Sequence, residues 1–177
     1  MKYQEDKIDG KEIYNGKIVS LRVDRVRLPN GKESFREEIS HNGGVGVLVV
    51  KDGKALIVKQ FRYAYKEELT EIPAGKLEKG ELPEMAGIRE LEEETGIKAN
   101  SLKYLTCIYP TPGYTNEKLY IYLCEDFSFG KQKLDEDEFL SYEWVSLNEL
   151  YEKIKDGSIK DAKTVCSLLM YKSKIYE

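Results

Sequence analysis

The stretch from Gly75 to Ile97, GKLEKGELPEMAGIRELEEETGI, constrains this chain more than any other. Pro83 stands where a helix tolerates proline, in its first turn, and Gly96 stands where helices stop. The spacing therefore predicts a glycine loop followed by a helix from about residue 82 to 95. On that helix Glu90 and Glu94 lie one turn apart with Glu93 beside them, while Ile88, Leu91 and Thr95 share a side suited to packing on a sheet. Arg89, four residues before Glu93, is placed to brace it by an ion pair. Carboxylates crowded in this way repel one another at neutral pH unless protons or cations come between them. The pattern asks for a hard cation such as Mg²⁺, which takes a few carboxylates, several waters and substrate phosphates. A solvated, glutamate-rich helix face is the alternative that the spacing alone leaves open.

The rest of the chain supplies strands around this unit. Residues 12 to 28 alternate apolar and polar about a turn at Asn15-Gly16, a second turn follows at Pro29 to Lys32, and Ser34 to His41 returns, which predicts a small antiparallel sheet. Val45 to Val50 and Ala55 to Arg62 flank Lys51-Asp52-Gly53-Lys54, a hairpin signal, and the run GVGVLVV predicts a strand buried on both faces. Further strands are expected at Glu68 to Pro73, Leu102 to Ile108, Lys118 to Cys124 and Tyr142 to Val145, with helices at Leu147 to Lys155 and Asp161 to Tyr171. The seam lies near residue 42, giving an N-terminal β subdomain over 1–41 and a main α/β domain over 42–177.

Composition excludes some classes. A net charge of −4 disfavours a nucleic-acid binder that works through bulk phosphate attraction. No stretch is long and apolar enough for a bilayer, and the N-terminus lacks a signal-like apolar region. Cys107, Cys124 and Cys166 have neither metal-ligand nor redox spacing, so reduced thiols in the cytoplasm are expected.

Gly75, five residues, Glu81, seven residues, Arg89-Glu90-Leu91, one residue, Glu93-Glu94, one residue and Gly96-Ile97 match the Nudix hydrolase signature at every specified position. The resemblance implies the Nudix fold, a mixed β-sheet sandwiched between helices, and hydrolysis of a nucleoside diphosphate linked to another group. It implies that Glu90 and Glu94 are the main metal ligands, that Glu93 supports a further ion, and that Arg89 is a structural brace. The carbonyl of Ala74 resembles a recurring ligand, with Glu71 close enough to join through water. The cofactor implied is Mg²⁺, or Mn²⁺ in its place, at two or three ions per site. Glu81 and Glu92 are open to a plain supporting or solvated role.

Other segments resemble the ADP-ribose pyrophosphatase branch of that family: QFRYAYKEELTEIPAGKLEKGE, the N-terminal YNGKIVSLRVDRVRLPNGK, DGSIKDAKT near the end, and Pro112, sixteen residues after Gly96. That branch implies a homodimer whose N-terminal strands, here carrying Phe35, Arg36 and His41, cover the adenine of the partner's substrate. Arg62 is suited to fork onto a phosphate or ribose, or else to make a surface ion pair. His41, the one histidine, is a substrate contact or a polar strand cap. Pro112 and Gly113 fix a loop over the terminal ribose, or simply a tight turn, and Glu117 orients it. Gly44 and Gly46 stand where this branch leads one to expect alanines, and looser local packing is the expected result.

The expected reaction is hydrolysis of ADP-ribose to AMP and ribose 5-phosphate. In this branch the general base is a glutamate on a loop between the last strands. Here that loop is LDEDEFLSY, with Glu138 as first choice and Glu136 as second. Four adjacent acids, Asp135 to Glu138, also fit a solvated charge run. Two rivals remain at this level. One is a Nudix hydrolase of another nucleotide sugar, such as GDP-mannose. The other is a catalytically silent nucleotide-sensing domain, against which the full carboxylate set speaks.

Overall fold

The N-terminal alternation becomes a three-stranded antiparallel sheet: β1 (Asp6–Asn15), β2 (Val19–Arg27) and β3 (Glu33–His41), in the order β1-β2-β3. The structure is a computed structural model, and it describes residues 2–134, 136 and 138–175. Asp135 and Asp137 of the acidic run lie outside the described residues. Gly31, at φ +81°, provides the left-handed residue of the β2–β3 turn.

The remaining described elements are β4 (Gly44–Lys51), β5 (Lys54–Arg62), β6 (Glu67–Glu71), β7 (Ala74–Lys76), α1 (Pro83–Thr95), β8 (Ile97–Ala99), β9 (Lys103–Ile108), β10 (Leu119–Cys124), β11 (Phe127–Phe129), β12 (Leu140–Ser146), α2 (Leu147–Lys155) and α3 (Ala162–Ile175). By internal contacts the chain forms two compact units. One holds the chain up to Gly43 together with Tyr109–Lys118; the other holds Gly44–Ile108 and the chain from Leu119.

The larger unit is built on a mixed sheet with the path β12-β5-β4-β10-β9. β4 and β10 run parallel, whereas β4–β5, β5–β12 and β9–β10 are antiparallel. Alternation along β4 sends Val45, Val47 and Val49 to one face and Leu48 and Val50 to the other, and all are buried. The first face packs on α1 through Ala86 and Leu91. The second packs against Leu150 of α2 and Leu168 of α3. Both faces are therefore dry, as the unbroken apolar run predicts.

The hairpin at Asp52-Gly53, with φ of +50° and +72°, has the positive dihedrals of a two-residue turn that matches strand twist. β4 and β5 nevertheless pair only at Val50–Ala55 and Lys51–Lys54 and then part. Into the opening comes the segment from Ile72 to Lys76. The Val47 N–H donates to the Pro73 carbonyl at 2.9 Å, and β7 pairs with Gly44 to Gly46. This divergence sets Ala74 and Gly75 against α1. It also explains Gly44 and Gly46, where the expected loosening is not what the strand shows. A Cβ at Gly46 would stand 2.9 Å from Ile72 Cδ1, and one at Gly44 would stand 2.8 Å from Leu119 Cδ2 and 3.0 Å from the Gly75 carbonyl. The strand is glycine there because the chain beside it is close.

β7, β8 and β11 are too short for sequence periodicity to register. β8 and β11 pair with each other as a two-stranded ribbon beside the end of α1.

Candidate active site

α1 begins at Pro83 and ends at Gly96, whose φ of +74° lets its N–H close back on the Glu92 carbonyl. Its last turns carry Glu90, Glu93 and Glu94, and no basic residue lies in the final turn. Negative side chains at this end meet the negative pole of the helix as well as one another. Local propensity would not arrange them so.

Glu94 is almost wholly buried, at 2% exposure, and Oε2 accepts the Ala74 N–H at 3.0 Å. Burial pushes its carboxyl up to about 8; the hydrogen bond from Ala74 opposes this, and the charges of Glu138 and Glu90 add to it. Glu90 is raised as well, again chiefly by burial, against the pull of Arg89 and with the push of Glu93 and Glu138. Glu90 lies so close to β7 that a Cβ at Gly75 would overlap its carboxylate. The first glycine of the signature is thus a matter of space. The charge of Glu138, just before β12, acts on both Glu90 and Glu94.

Arg89 braces more than Glu93. Nε and Nη2 donate to the two oxygens of Glu81 at 3.0 Å each, and Nη2 also reaches the Lys76 carbonyl at 3.3 Å. Nη1 lies 3.0 Å from both Glu90 Oε1 and Glu93 Oε2. The fork on Glu81, which also accepts the Glu78 N–H, fixes the loop between β7 and α1. Glu81 therefore has the supporting role, and hydrogen bonds from Arg89 hold its carboxyl below the ordinary value.

Behind Glu94 lies a network that sequence reasoning found only in part. Arg62 forks onto Glu71, Nε to Oε1 and Nη2 to Oε2 at 2.6 Å each. Lys163, at the start of α3, also donates to Glu71 Oε2 and reaches Asp161 Oδ1 at 2.9 Å. Asp161 Oδ2 accepts the Thr164 N–H at 3.0 Å, and Thr164 Oγ1 in turn accepts the Ile72 N–H at 2.8 Å. Burial alone would raise the Glu71 carboxyl, but the hydrogen bonds and charges of Arg62 and Lys163 hold it below the ordinary carboxylate value. Both Glu71 oxygens accept from these cations, Oε1 from Arg62 and Oε2 from Arg62 and Lys163. Lys163 and Asp161 were missed because nothing in DGSIKDAKT signals a partner some ninety residues away in sequence; the Lys163–Glu71 separation is 92.

The donor set suits a hard cation: oxygen ligands only, on carboxylates whose ionisation is costly without one. Among the described residues no three acidic, histidine or cysteine side chains already converge as a finished metal cluster. Glu93 is turned to Arg89 and Glu71 to Arg62; Glu90, part-buried, also meets Arg89, and Glu94 is the fully buried carboxylate of the three on the helix.

The smaller unit holds the other expected contacts. Phe35 on β3 is exposed, and its neighbour Arg36 forks onto Glu5 at 2.8 and 2.5 Å. The His41 N–H donates to Asn116 Oδ1 at 2.9 Å, its Nδ1 accepts the Gly43 N–H at 3.0 Å, and Glu117 Oε1 lies 3.5 Å from that nitrogen. These contacts are those of a polar strand cap, with Glu117 beside the imidazole. Pro112 and Gly113 sit in a turn closed by the Thr115 N–H on the Thr111 carbonyl at 3.2 Å. That turn is docked on β3 by the Ile39 N–H, which donates to the Tyr114 carbonyl at 2.7 Å.

Comparison with known proteins gives matches over nearly the whole chain. A family model described as NUDIX domain matches residues 40–168, and one described as nucleoside diphosphate sugar hydrolase N-terminal domain matches residues 5–37. An ADP-ribose pyrophosphatase of Bacillus subtilis (strain 168) is 45% identical over 172 residues, covering 95% of this chain and 93% of that protein. A methanol dehydrogenase activator of Bacillus methanolicus is 38% identical over 94% of this chain and 91% of its own length. The solved structure of an ADP compounds hydrolase shares the fold, with a TM-score of 0.88 over 98% of this chain and 95% of that one at 19% identity.

Proposed function

Because this chain belongs to the Nudix hydrolase family, we propose that it hydrolyses ADP-ribose with water to AMP and ribose 5-phosphate in the presence of Mg²⁺. The observation that carries the reading is the part-buried Glu90 and the buried Glu94, one turn apart and pressed against Gly75 and Ala74. The 45% identity to an ADP-ribose pyrophosphatase over nearly the whole chain supports the choice of substrate.

In this reading Glu90, Glu94 and the Ala74 carbonyl hold the metal, with Glu93 supporting a further ion, at two or three ions per site. A bound divalent cation would neutralise the diphosphate and lower the pKa of the attacking water. Arg89 holds the glycine loop and the ligand helix in one geometry. Arg62, presented by Glu71, takes a phosphate or the ribose. Glu138 removes the proton from water as it adds to phosphorus and the diphosphate bridge opens. Two chains pair through their N-terminal sheets, whose strands, with Phe35, Arg36 and His41, cover the adenine of the partner's substrate, while Pro112 and Gly113 fix a loop over the terminal ribose that Glu117 orients. The exposed Ile13, Tyr14, Ile18 and Phe35 of the N-terminal sheet and its turn are suited to such pairing. Cys107, Cys124 and Cys166 are unpaired thiols, which favours the cytoplasm, and no described helix is long and apolar enough to cross a membrane.

The test is metal-dependent phosphate-ester release from ADP-ribose, GDP-mannose and diadenosine compounds under one set of conditions. ADP-ribose is expected to give the highest kcat/KM. A GDP-mannose preference would move the substrate assignment, and no turnover of any of them would make the domain a sensor. Glu138→Gln is expected to lose more activity than Glu136→Gln; the reverse order moves the base to Glu136.

A further inference from the structure

Three hydrogen bonds tie the segment after β11 to the carbonyl end of α1. The Gly130 N–H donates to the Gly96 carbonyl at 2.6 Å, the Lys133 N–H to the Glu93 carbonyl at 2.9 Å, and Gln132 Nε2 to the Glu94 carbonyl at 2.6 Å. The Glu93 and Glu94 carbonyls are in the last turn, where a helix has no partners of its own for them. The approach is close enough to dictate sequence. A Cβ at Gly96 would stand 2.7 Å from the Gln132 backbone nitrogen and 2.8 Å from the Lys131 carbonyl carbon. The second signature glycine is therefore required twice, by its positive φ and by the segment lying over it.

Beyond Gln132 the same segment leads to Glu136 and Glu138, and the charge of Glu138 is felt by both Glu90 and Glu94. The backbone that carries Glu94 is thus the backbone on which the loop is hung. Of the three bonds only Gln132 uses a side chain, so this one is a choice of residue rather than of chain path.

We propose that Gln132 is a positioning residue whose side-chain amide fastens the loop carrying Glu138 to the metal-binding helix, so that the base and the Glu90–Glu94 pair keep one mutual geometry. The proposal rests on the assignment of Glu138 as base. Gln132 touches no reacting atom; its effect is on how often Glu138 is in place, which enters kcat more than substrate affinity.

The experiment compares the wild-type protein with Gln132→Met, which keeps length but loses the donor, and Gln132→Lys, which restores a donor. Kinetics on ADP-ribose with Mg²⁺ are read together with amide hydrogen exchange over residues 130–138. Gln132→Met is expected to lower kcat about tenfold, the scale of one hydrogen bond, with KM within about twofold. Exchange at Gly130 and Lys133 should rise about tenfold with the α1 core amides unchanged, and Gln132→Lys should recover most of the loss. An unchanged kcat in Gln132→Met overturns the proposal, as does a loss that falls wholly on KM or comes with faster exchange throughout α1. Where the wild-type protein fails to turn over ADP-ribose, the substrate reading falls on that result alone. Exchange at Gly130 and Lys133 then decides the tether, and unchanged protection overturns it.

Discussion

Replacing Glu94 by glutamine should make the metal-free protein more stable at alkaline pH while abolishing its chemistry. The Glu94 carboxyl is 2% exposed and its pKa is pushed from an ordinary 4.5 up to about 8. In the unfolded chain it ionises near its ordinary value, so between the two the native state binds more protons than the unfolded state. Stability is then full below 4.5, falls as pH rises, and has lost this contribution by about 8. The span corresponds to about 5 kcal/mol as an upper bound. Glutamine has the same shape, carries no charge, and its carbonyl can still accept the Ala74 N–H. Thermal unfolding in chelator should show the variant and wild type alike near about pH 5, and the variant ahead by at least about 2 kcal/mol, or roughly 4–8 °C, near about pH 8.5. Millimolar Mg²⁺ should raise the wild-type melting temperature and leave the variant almost unmoved, while hydrolysis by the variant falls by more than about 100-fold. Melting curves that coincide across the whole pH range without metal would refute the idea that an ionised Glu94 strains the native state. A variant stabilised by Mg²⁺ as strongly as wild type would refute its place as a ligand.

Other predictions follow from the same contacts. Glu71→Gln leaves Arg62 and Lys163 facing each other without the buried anion they share, and should cost about 3–5 kcal/mol in denaturant unfolding at neutral pH. Its pH dependence has the opposite sign to that of Glu94. A carboxyl held low stabilises above its ordinary value and loses that contribution as pH falls, so the wild-type acid limb should be steeper than the variant's. Gly75→Ala places a methyl group into the Glu90 carboxylate and should weaken Mg²⁺ binding in a titration by at least about tenfold; unchanged affinity would show that Glu90 can move aside without loss. Gly46→Ala should destabilise by about 1–3 kcal/mol through contact with Ile72, and a neutral or stabilising result would show that this strand has room.

The carboxylate-bearing helix was legible because its signals are local. Pro83, Gly96 and the Glu90–Glu94 spacing act within one turn or at one end of a helix, and the alternation about β4 and the Asp52-Gly53 hairpin act within a few residues. Those signals gave the helix, most of the strands and the family. The Ile72–Lys76 insertion between β4 and β5 was not legible, because divergence of two strands depends on what pairs with each of them elsewhere. Lys163 gives the same lesson: Glu71 is charged and buried only because α3 returns to it from far along the chain.

By itself the sequence determined that three carboxylates would stand on one helix face, with a brace at Arg89 and glycines at both ends, since periodicity and backbone freedom are properties of the local chain. Tertiary structure decided which of those carboxylates became costly. Burial beneath β7 raised Glu94 to about 8, while Glu93 was left half-exposed on Arg89. It also gave Glu71 to Arg62 and Lys163, and hung the Glu138 loop on the carbonyls of the same helix. Spacing can bring charges together, but the energy of a charge depends on the solvent removed from it and the partners supplied, and both come from distant parts of the chain.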